Sequence, residues 1–386
     1  MKEVSAHPAR AETWVSSALA ESLAAVDWTF PERGRGHDIE SLHPYPAKFI
    51  SEIPSAILDS LRPPAHTLVF DPFCGSGTTL LAAQKRGLPS VGVDLNPIAC
   101  LISRVKTSPT PFGLEADAVA ILEEARNDTN PAIPAIPNLD HWFEPSVQIA
   151  VAGLVAAIAR RIGSPTFDTL RLALSSILVR VSNQDSDTRY AAVVKDVGAE
   201  HTYRTFKAAV AKLAKALEER SWATTACEVI ESDVLAVKPE AIVGRVGVVI
   251  TSPPYPNAYE YWLYHKYRMW WLGFDPLAVK AAEIGARAHF FKRDRHTEGH
   301  FREQMRGVFA LIDAVLEPGG VVCFIVGRSK IHGVTVDNAE TVRDVGEEAG
   351  LLLETRIERV IAQGRKSFNL SHANIKTESV VVLRKP

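Results

Sequence analysis

Residues 66–97 read HTLVFDPFCGSGTTLLAAQKRGLPSVGVDLNP, and this stretch constrains the fold more than any other. The apolar run TLVF predicts a buried strand, Cys-Gly-Ser-Gly a tight turn, TTLLAAQKR a helix, and SVGVD a second strand. Two strands joined by a helix within about 30 residues form a βαβ unit. Parallel strands need such a crossover, so the chain is expected to be an α/β protein whose mostly parallel sheet carries helices on both faces.

Strand-like runs return at ACEVIESDVL, RVGVVITSPP, GGVVCFIVGRS and ESVVVLRK. Between the two groups lies a different stretch. It opens on the proline-rich NPAIPAIPNLDHW and continues as VQIAVAGLVAAIARRI and TLRLALSSILVRVS, which carry helical spacing. Four segments follow: an N-terminal helical arm (1–40), the first half of the sheet domain (41–106), a helical insertion (107–224) and the second half of the sheet domain (225–386).

With 386 residues, 46% hydrophobic and 23% charged, the chain can bury a large core. Its net charge of −2 argues against a uniformly basic nucleic-acid coat but leaves room for a local basic face. The four cysteines, Cys74, Cys100, Cys227 and Cys323, form no CxxC pair, so neither a metal site nor a disulfide framework is expected, and a reducing cytoplasm fits. No apolar run reaches the roughly 18 residues of a membrane helix, and the N-terminus does not read as a signal peptide.

A glycine turn between a first strand and its helix lets backbone N–H groups approach a ligand, and an acidic residue ending the second strand can accept from both hydroxyls of a ribose. Asp71, Gly75 and Gly77 lie in this turn and Asp94 ends the second strand. The turn is not GxGxxG and lacks a P-loop lysine, which disfavours a dinucleotide or triphosphate. Farther on, a strand stops abruptly in TSPPYP. Proline donates nothing to a sheet ladder and fixes its own φ, so Pro253 and Pro254 hold Ser252 and Tyr255 in a stiff clamp.

DPFCGSGTT, VGVDLNP and TSPPY together resemble the amino-methyltransferases of DNA, which transfer a methyl group from S-adenosylmethionine to an exocyclic amine of cytosine or adenine. The resemblance covers the sheet core and not the helical insertion. It implies a Rossmann-like class I methyltransferase sheet and a cofactor site built from Asp71, Pro72, Phe73, Gly75, Gly77 and Thr78. HPYPAKF resembles the segment lining the methionine end, which adds Lys48 and Phe49. Asp94 matches the ribose binder and Asp233 the acceptor for the adenine amine; either carboxylate could instead cap the element that follows its strand.

The TSPPY segment matches the family's (D/N/S)PPY tetrapeptide. An exocyclic amine is a poor nucleophile because its lone pair is delocalised into the ring. Acceptors on its hydrogens, here Ser252 Oγ and the Pro253 carbonyl, draw it towards tetrahedral geometry, Pro254 stiffens the turn, and Tyr255 stacks on a base flipped out of double-stranded DNA. Methylation of cytosine carbon 5 needs a cysteine nucleophile beside a proline, and none is present. In this family serine in the first position is typical of cytosine N4, Asp or Asn of adenine N6. The expectation is therefore a cytosine-N4 DNA methyltransferase, with adenine N6, an RNA base or a non-catalytic DNA-binding subunit as alternatives, and a cognate restriction endonuclease left open as partner.

Two regions suggest a path for DNA. Arg287, Lys292, Arg293 and Arg295 bunch in what reads as a long loop before the next strand, where they would meet phosphates. Within the insertion, VSNQDSDTRY breaks a helical pattern, and Asn183, Gln184 and Arg189 could reach base edges; such a run is also a common helix cap and turn. The insertion reads equally as a target-recognition region or as a scaffold.

Overall fold

The computed structural model describes residues 18–31, 38–46, 50–187, 189, 191–256, 260–290, 295–361 and 377–386. Eight strands form one sheet: β1 (Leu68–Asp71), β2 (Ser90–Asp94), β3 (Cys227–Glu231), β4 (Val246–Thr251), β5 (Leu316–Ile331), β6 (Val334–Asp337), β7 (Leu352–Val360) and β8 (Thr377–Arg384). Their spatial order is β3-β2-β1-β4-β5-β8-β7, with β6 paired to the end of β5. The first five are parallel, and β8 runs antiparallel between β5 and β7. The expected α/β sheet of mixed topology is therefore present. Strand order reverses between β1 and β4, so a crevice opens beyond their carboxyl ends, the usual place for a ligand in such sheets.

Strands β1 and β4 are buried along their whole length, as continuous apolar runs covered on both faces must be. Side-chain alternation sends Val69, Val248 and Ile250 to one layer with Ile53, Ile57 and Ala83, and Phe70 and Val249 to the other with Phe309, Ile312 and Phe324. The helix Ala18–Ala24 belongs to the first layer: Leu19, Leu23 and Trp28 share its core.

Among the described residues between β2 and β3 the long elements are helices, including Pro97–Thr107, Leu114–Asn127, Pro145–Ala159, Phe167–Ile177 and Ala199–Glu218. These helices enclose a core of their own around Ile121, Val151, Leu174 and Phe206. That core is continuous with Tyr267, Met269 and Trp271 of the helix Tyr261–Trp271, which follows the TSPPY turn. Trp271 is accordingly a packing residue, 1% exposed.

The polar segment within the helical block folds as a small hairpin. Asp185 N donates to Ala191 O and Val193 N to Asn183 O, and Lys195 staples its base by donating to the carbonyls of Val179 and Gln184. Its Asp187 carboxylate accepts from Arg268, whose side chain is 2% exposed and also donates to the Ser175 and Tyr264 carbonyls. One buried guanidinium thus ties the hairpin, the helix Phe167–Ile177 and the helix after the clamp.

The long basic loop expected before β5 is shorter than the sequence reading made it. Thr297 and His300 form a reciprocal cap, and Phe301, Met305, Val308, Phe309 and Ile312 give one apolar stripe, so Glu298–Val315 is an 18-residue helix.

Asp187→Ala leaves a buried cation without its counter-charge. It is expected to cost about 2–4 kcal/mol of stability, read as a lowered Tm and a lowered denaturation midpoint; an unchanged midpoint would show that the pair does not bind the hairpin to the body.

Candidate functional site

The turn after β1 is built from below. Asp71 is fully buried; its Oδ1 accepts from Phe73 N at 3.0 Å and from the Thr251 hydroxyl at 2.6 Å. Burial pushes its carboxyl up to about 6, and its Oδ2 has no partner among the described residues. Gly75 and Gly77 take φ of +51° and +77°, which L side chains rarely adopt. A Cβ on Gly77 would lie 2.8 Å from Ser103 Oγ. That closeness has a purpose, because Ser103 donates to Gly75 O at 2.8 Å and the buried Lys106 donates to Ser76 O at 2.8 Å. Two residues of the helix Pro97–Thr107 thereby hold the turn's carbonyls on the side away from the crevice. Sequence reasoning missed both, since nothing local marks a helical serine or lysine as the support of a turn 30 residues earlier.

A cleft lies above the turn, lined by Pro72, Phe73, Gly75, Thr78, Asp94 and Asp233 among others. It encloses about 810 Å³ of empty space, open solvent at its mouth included. Asp94 is half-buried at its centre. Its Oδ2 accepts from Gly75 N and its Oδ1 from Asn96 N, both at 2.8 Å. Each oxygen keeps a second lone-pair site, so the carboxylate can fasten the turn and still receive two hydroxyls. Burial raises this carboxyl to about 6, with the two backbone donors opposing the rise. Asp233 reaches the same cleft while its Oδ1 accepts from Leu235 N at 3.0 Å. It caps the short turn Val234–Ala236 and also lines the cleft, so the cap leaves it within reach of a ligand.

Of the expected cofactor residues, Asp71 and Gly77 support the turn from behind rather than lining the cleft, and Lys48 and Phe49 lie outside the described residues. An unexpected wall takes their side. Tyr45 of HPYPAKF stacks on Tyr261 at 5.7 Å and on His265 at 5.3 Å, and Tyr45 and Tyr261 both line the cleft. His43 is buried behind this stack and pairs with Ser175 Oγ at 2.9 Å; burial and the Arg268 charge keep it neutral by lowering its pKa well below the ordinary range.

The TSPPY segment closes the other side. Ser252 and Pro254 line the cleft, Pro253 is buried, and Tyr255 is half-buried against the core layer that contains Ile284. Glu283 lines it too, with a carboxylate that accepts from Tyr261 N and Trp262 N and is pushed up to about 8 by burial. A cofactor cleft and a rigid acceptor turn are therefore contiguous. The residues present suit S-adenosylmethionine, since the walls combine carboxylates at Asp94 and Asp233, which would accept from hydroxyls or an amine, with the backbone of a glycine turn.

The outlying candidates divide. Asn183 is 6% exposed, and its amide donates towards His141 O and Glu144 while its Oδ1 accepts from Lys195 N, so it is a packing residue and not a base reader. Gln184 is buried beside it. Arg189 at the hairpin tip keeps 75% of its side chain exposed and pairs only loosely with Asp185. Arg287 and Arg295 are exposed; Lys292 and Arg293 lie outside the described residues. Among the described residues no cluster could hold a metal ion, and no helix is long and apolar enough to cross a membrane.

Residues 11–104 match a family model for N6/N4 methyltransferases described as DNA methylase. The chain is 37% identical over 86 residues to the Type II methyltransferase M.MjaII of Methanocaldococcus jannaschii, a stretch covering 21% of this chain and 16% of that protein. It is 28% identical over 153 residues to the Type II methyltransferase M.MvaI of Kocuria varians, covering 36% and 34%. The chain thus matches about a third or less of each relative's own length. Among solved structures, the rRNA methyltransferase aviRa of Streptomyces viridochromogenes is 14% identical over 91% of this chain and 93% of its own, with a TM-score of 0.36.

If Asp94 holds a ribose, protonation weakens the acceptors it offers and turns one of them into a donor. Affinity for S-adenosylmethionine is expected to hold above about pH 6 and to fall as pH drops through that value, by up to tenfold per unit. In Asp94→Asn the affinity should be lower and flat across the same range. Calorimetry at pH 5, 6, 7 and 8 checks both; parallel profiles would take Asp94 out of the binding site.

Proposed function

We propose that this chain, whose residues 11–104 match an N6/N4 DNA methylase model and which is similar over short stretches to Type II methyltransferases, methylates an exocyclic base amine in DNA, and that the amine is N4 of cytosine. The observation that carries the reading is the junction of the two halves of the site: the Asp71 carboxylate that holds the cofactor turn also holds Thr251, the residue before the Ser-Pro-Pro-Tyr clamp.

The bound cofactor supplies a methyl group on a cationic sulfur. What the chain must do is present the amine with its lone pair towards that methyl. Ser252 Oγ, at the cleft wall, and the Pro253 carbonyl accept the two amine hydrogens and draw nitrogen away from planarity. Methyl transfer would leave the cofactor as a neutral thioether, and the methylated amine would release one proton, which Ser252 Oγ and the Pro253 carbonyl would pass on to solvent at the open mouth of the cleft. Tyr255, next in the chain, supplies a face for a base taken out of its stack. The fully buried β4 behind these residues keeps the acceptors from relaxing.

Ser252 favours cytosine over adenine because, in the family this chain resembles, serine in the first clamp position is typical of cytosine N4 and Asp or Asn of adenine N6. The same residue disfavours a glutamine substrate, for which the related clamp carries asparagine. Arg287 and Arg295 are exposed, and in this reading they would meet phosphates without reading sequence.

Expression in a host lacking DNA methylation, followed by sequencing for modified bases at single-base resolution, tests the proposal: N4-methylcytosine at one short sequence is the expected product. Modification confined to adenine would leave the chemistry standing and overturn the reading of Ser252. Ser252→Ala should lower kcat at least tenfold with little change in DNA affinity, the pattern of an interaction made mainly in the transition state; a variant as fast as the parent would refute the clamp.

A further inference from the structure

Glu283 is a buried carboxylate to which the methyl-transfer scheme gives no task. It is 6% exposed, it lines the cleft beside Ser252 and Pro254, and burial pushes it up to about 8. It nevertheless accepts two short backbone hydrogen bonds, from Tyr261 N at 2.9 Å and Trp262 N at 2.8 Å. These are the first two residues of the helix Tyr261–Trp271, so the carboxylate satisfies donors that a helix start leaves unpaired and sits at the positive end of its dipole. A buried acid kept in so costly a position is worth explaining by what it joins.

On one side of Glu283, Tyr261 stacks on Tyr45, and the Tyr45 ring lies where a Cβ on Gly75 would touch it at 3.4 Å. That contact leads directly to the cofactor turn. On the other side, Gly285 takes φ of +72° and presses its backbone onto the clamp: a Cβ there would lie 2.8 Å from Tyr255 O and 3.1 Å from Pro254 O. The chain from Gly75 through Tyr45, Tyr261 and Glu283 to Gly285 and the Pro254–Tyr255 carbonyls is continuous contact, and Glu283 is its one ionisable, doubly hydrogen-bonded link. The hydrogen bond between Asp71 and Thr251 joins the same two parts from beneath, whereas this second connection runs along the mouth, where ligands enter.

From this we infer that Glu283 is a positioning residue that couples occupancy of the cofactor turn to the placement of the target-base clamp. The inference rests on the methyl-transfer reading only for the identity of the two ligands. A carboxamide cannot reproduce the arrangement, because its NH2 group would face one of the two N–H donors, whereas the shorter carboxylate of aspartate can keep one bond.

The test measures linkage between the ligands rather than activity alone. Binding of a random-sequence DNA duplex is titrated with and without sinefungin, a stable analogue of the cofactor, for the parent, Glu283→Gln, Glu283→Asp and Gly285→Ala, with Tm recorded for each. The parent is expected to bind duplex about tenfold more tightly when sinefungin is present. In Glu283→Gln and Gly285→Ala that factor should fall below two, with sinefungin affinity in the absence of DNA within threefold of the parent, and Glu283→Asp should lie between. Methyl incorporation from labelled S-adenosylmethionine into unmethylated genomic DNA should fall at least tenfold in the first two. A coupling factor in Glu283→Gln within twofold of the parent's overturns the inference, and so does a parent with no coupling. Loss of sinefungin affinity in step with Tm overturns it as well, since that is what a merely structural residue would do. Coupling without any methyl incorporation by the parent supports the positioning role and refutes the methyl-transfer reading instead.

Discussion

The site depends on one buried carboxylate shared between two segments 180 residues apart. Asp71 ends β1, and its Oδ1 takes hydrogen bonds from Phe73 N and from the Thr251 hydroxyl that ends β4. Because β1 and β4 are neighbours at the point where strand order reverses, a link between their last residues sets the distance between whatever binds over the first and whatever is held by the second. Thr79, in the first turn of the helix after the glycines, donates to Ile250 O at 3.1 Å and repeats the link one residue back. A methyl donor and an amine must meet within a few tenths of an ångström of a productive geometry, and misplacement by about 1 Å is costly in rate. Rigid strand ends with a fully buried tie between them provide that precision better than loops alone.

How much of this was legible in the sequence depended on chain separation. The βαβ unit, the glycine turn, Asp94 and the Ser-Pro-Pro-Tyr segment are each written in contiguous residues, and the structure brings them round one cleft. The support behind the turn was not legible, because Ser103 and Lys106 look like ordinary residues of an amphipathic helix until that helix is seen packed beneath Gly75 and Ser76. The same holds for Glu283, which in sequence ends a short helix and in space begins another. The hairpin reading failed at Asn183 for a more instructive reason. A polar run suggested a surface, yet the segment folds back on the helical block and uses its amides internally, so polarity marked hydrogen bonding and not exposure. With Glu298–Val315 the signal was present, an apolar residue every three or four positions, and the neighbouring basic residues drew the reading towards a loop.

Three carboxyls near the cleft, Asp71, Asp94 and Glu283, are raised by burial, and the charge of Asp94 adds to the rise in the other two. Such crowding of acids is unfavourable by itself, and each is held by backbone N–H groups or a hydroxyl rather than by a cation. A cationic ligand relieves it. S-adenosylmethionine carries its positive charge on sulfur, so an acidic cleft favours it over the neutral thioether that remains when the methyl group has gone. Favouring a ground state ordinarily works against turnover, since binding expressed before the transition state does not lower the barrier from the complex. Here the charge is not lost as the reaction proceeds. In the proposed reaction it would pass from sulfur towards the attacking nitrogen within the same cleft, so the field that favours a cationic cofactor would also stabilise the cationic amine. Asp94 over the glycine turn carries that field, because its carboxyl, raised only to about 6, is ionised at neutral pH, whereas Glu283, raised to about 8, is largely protonated there and acts as a hydrogen-bonding support.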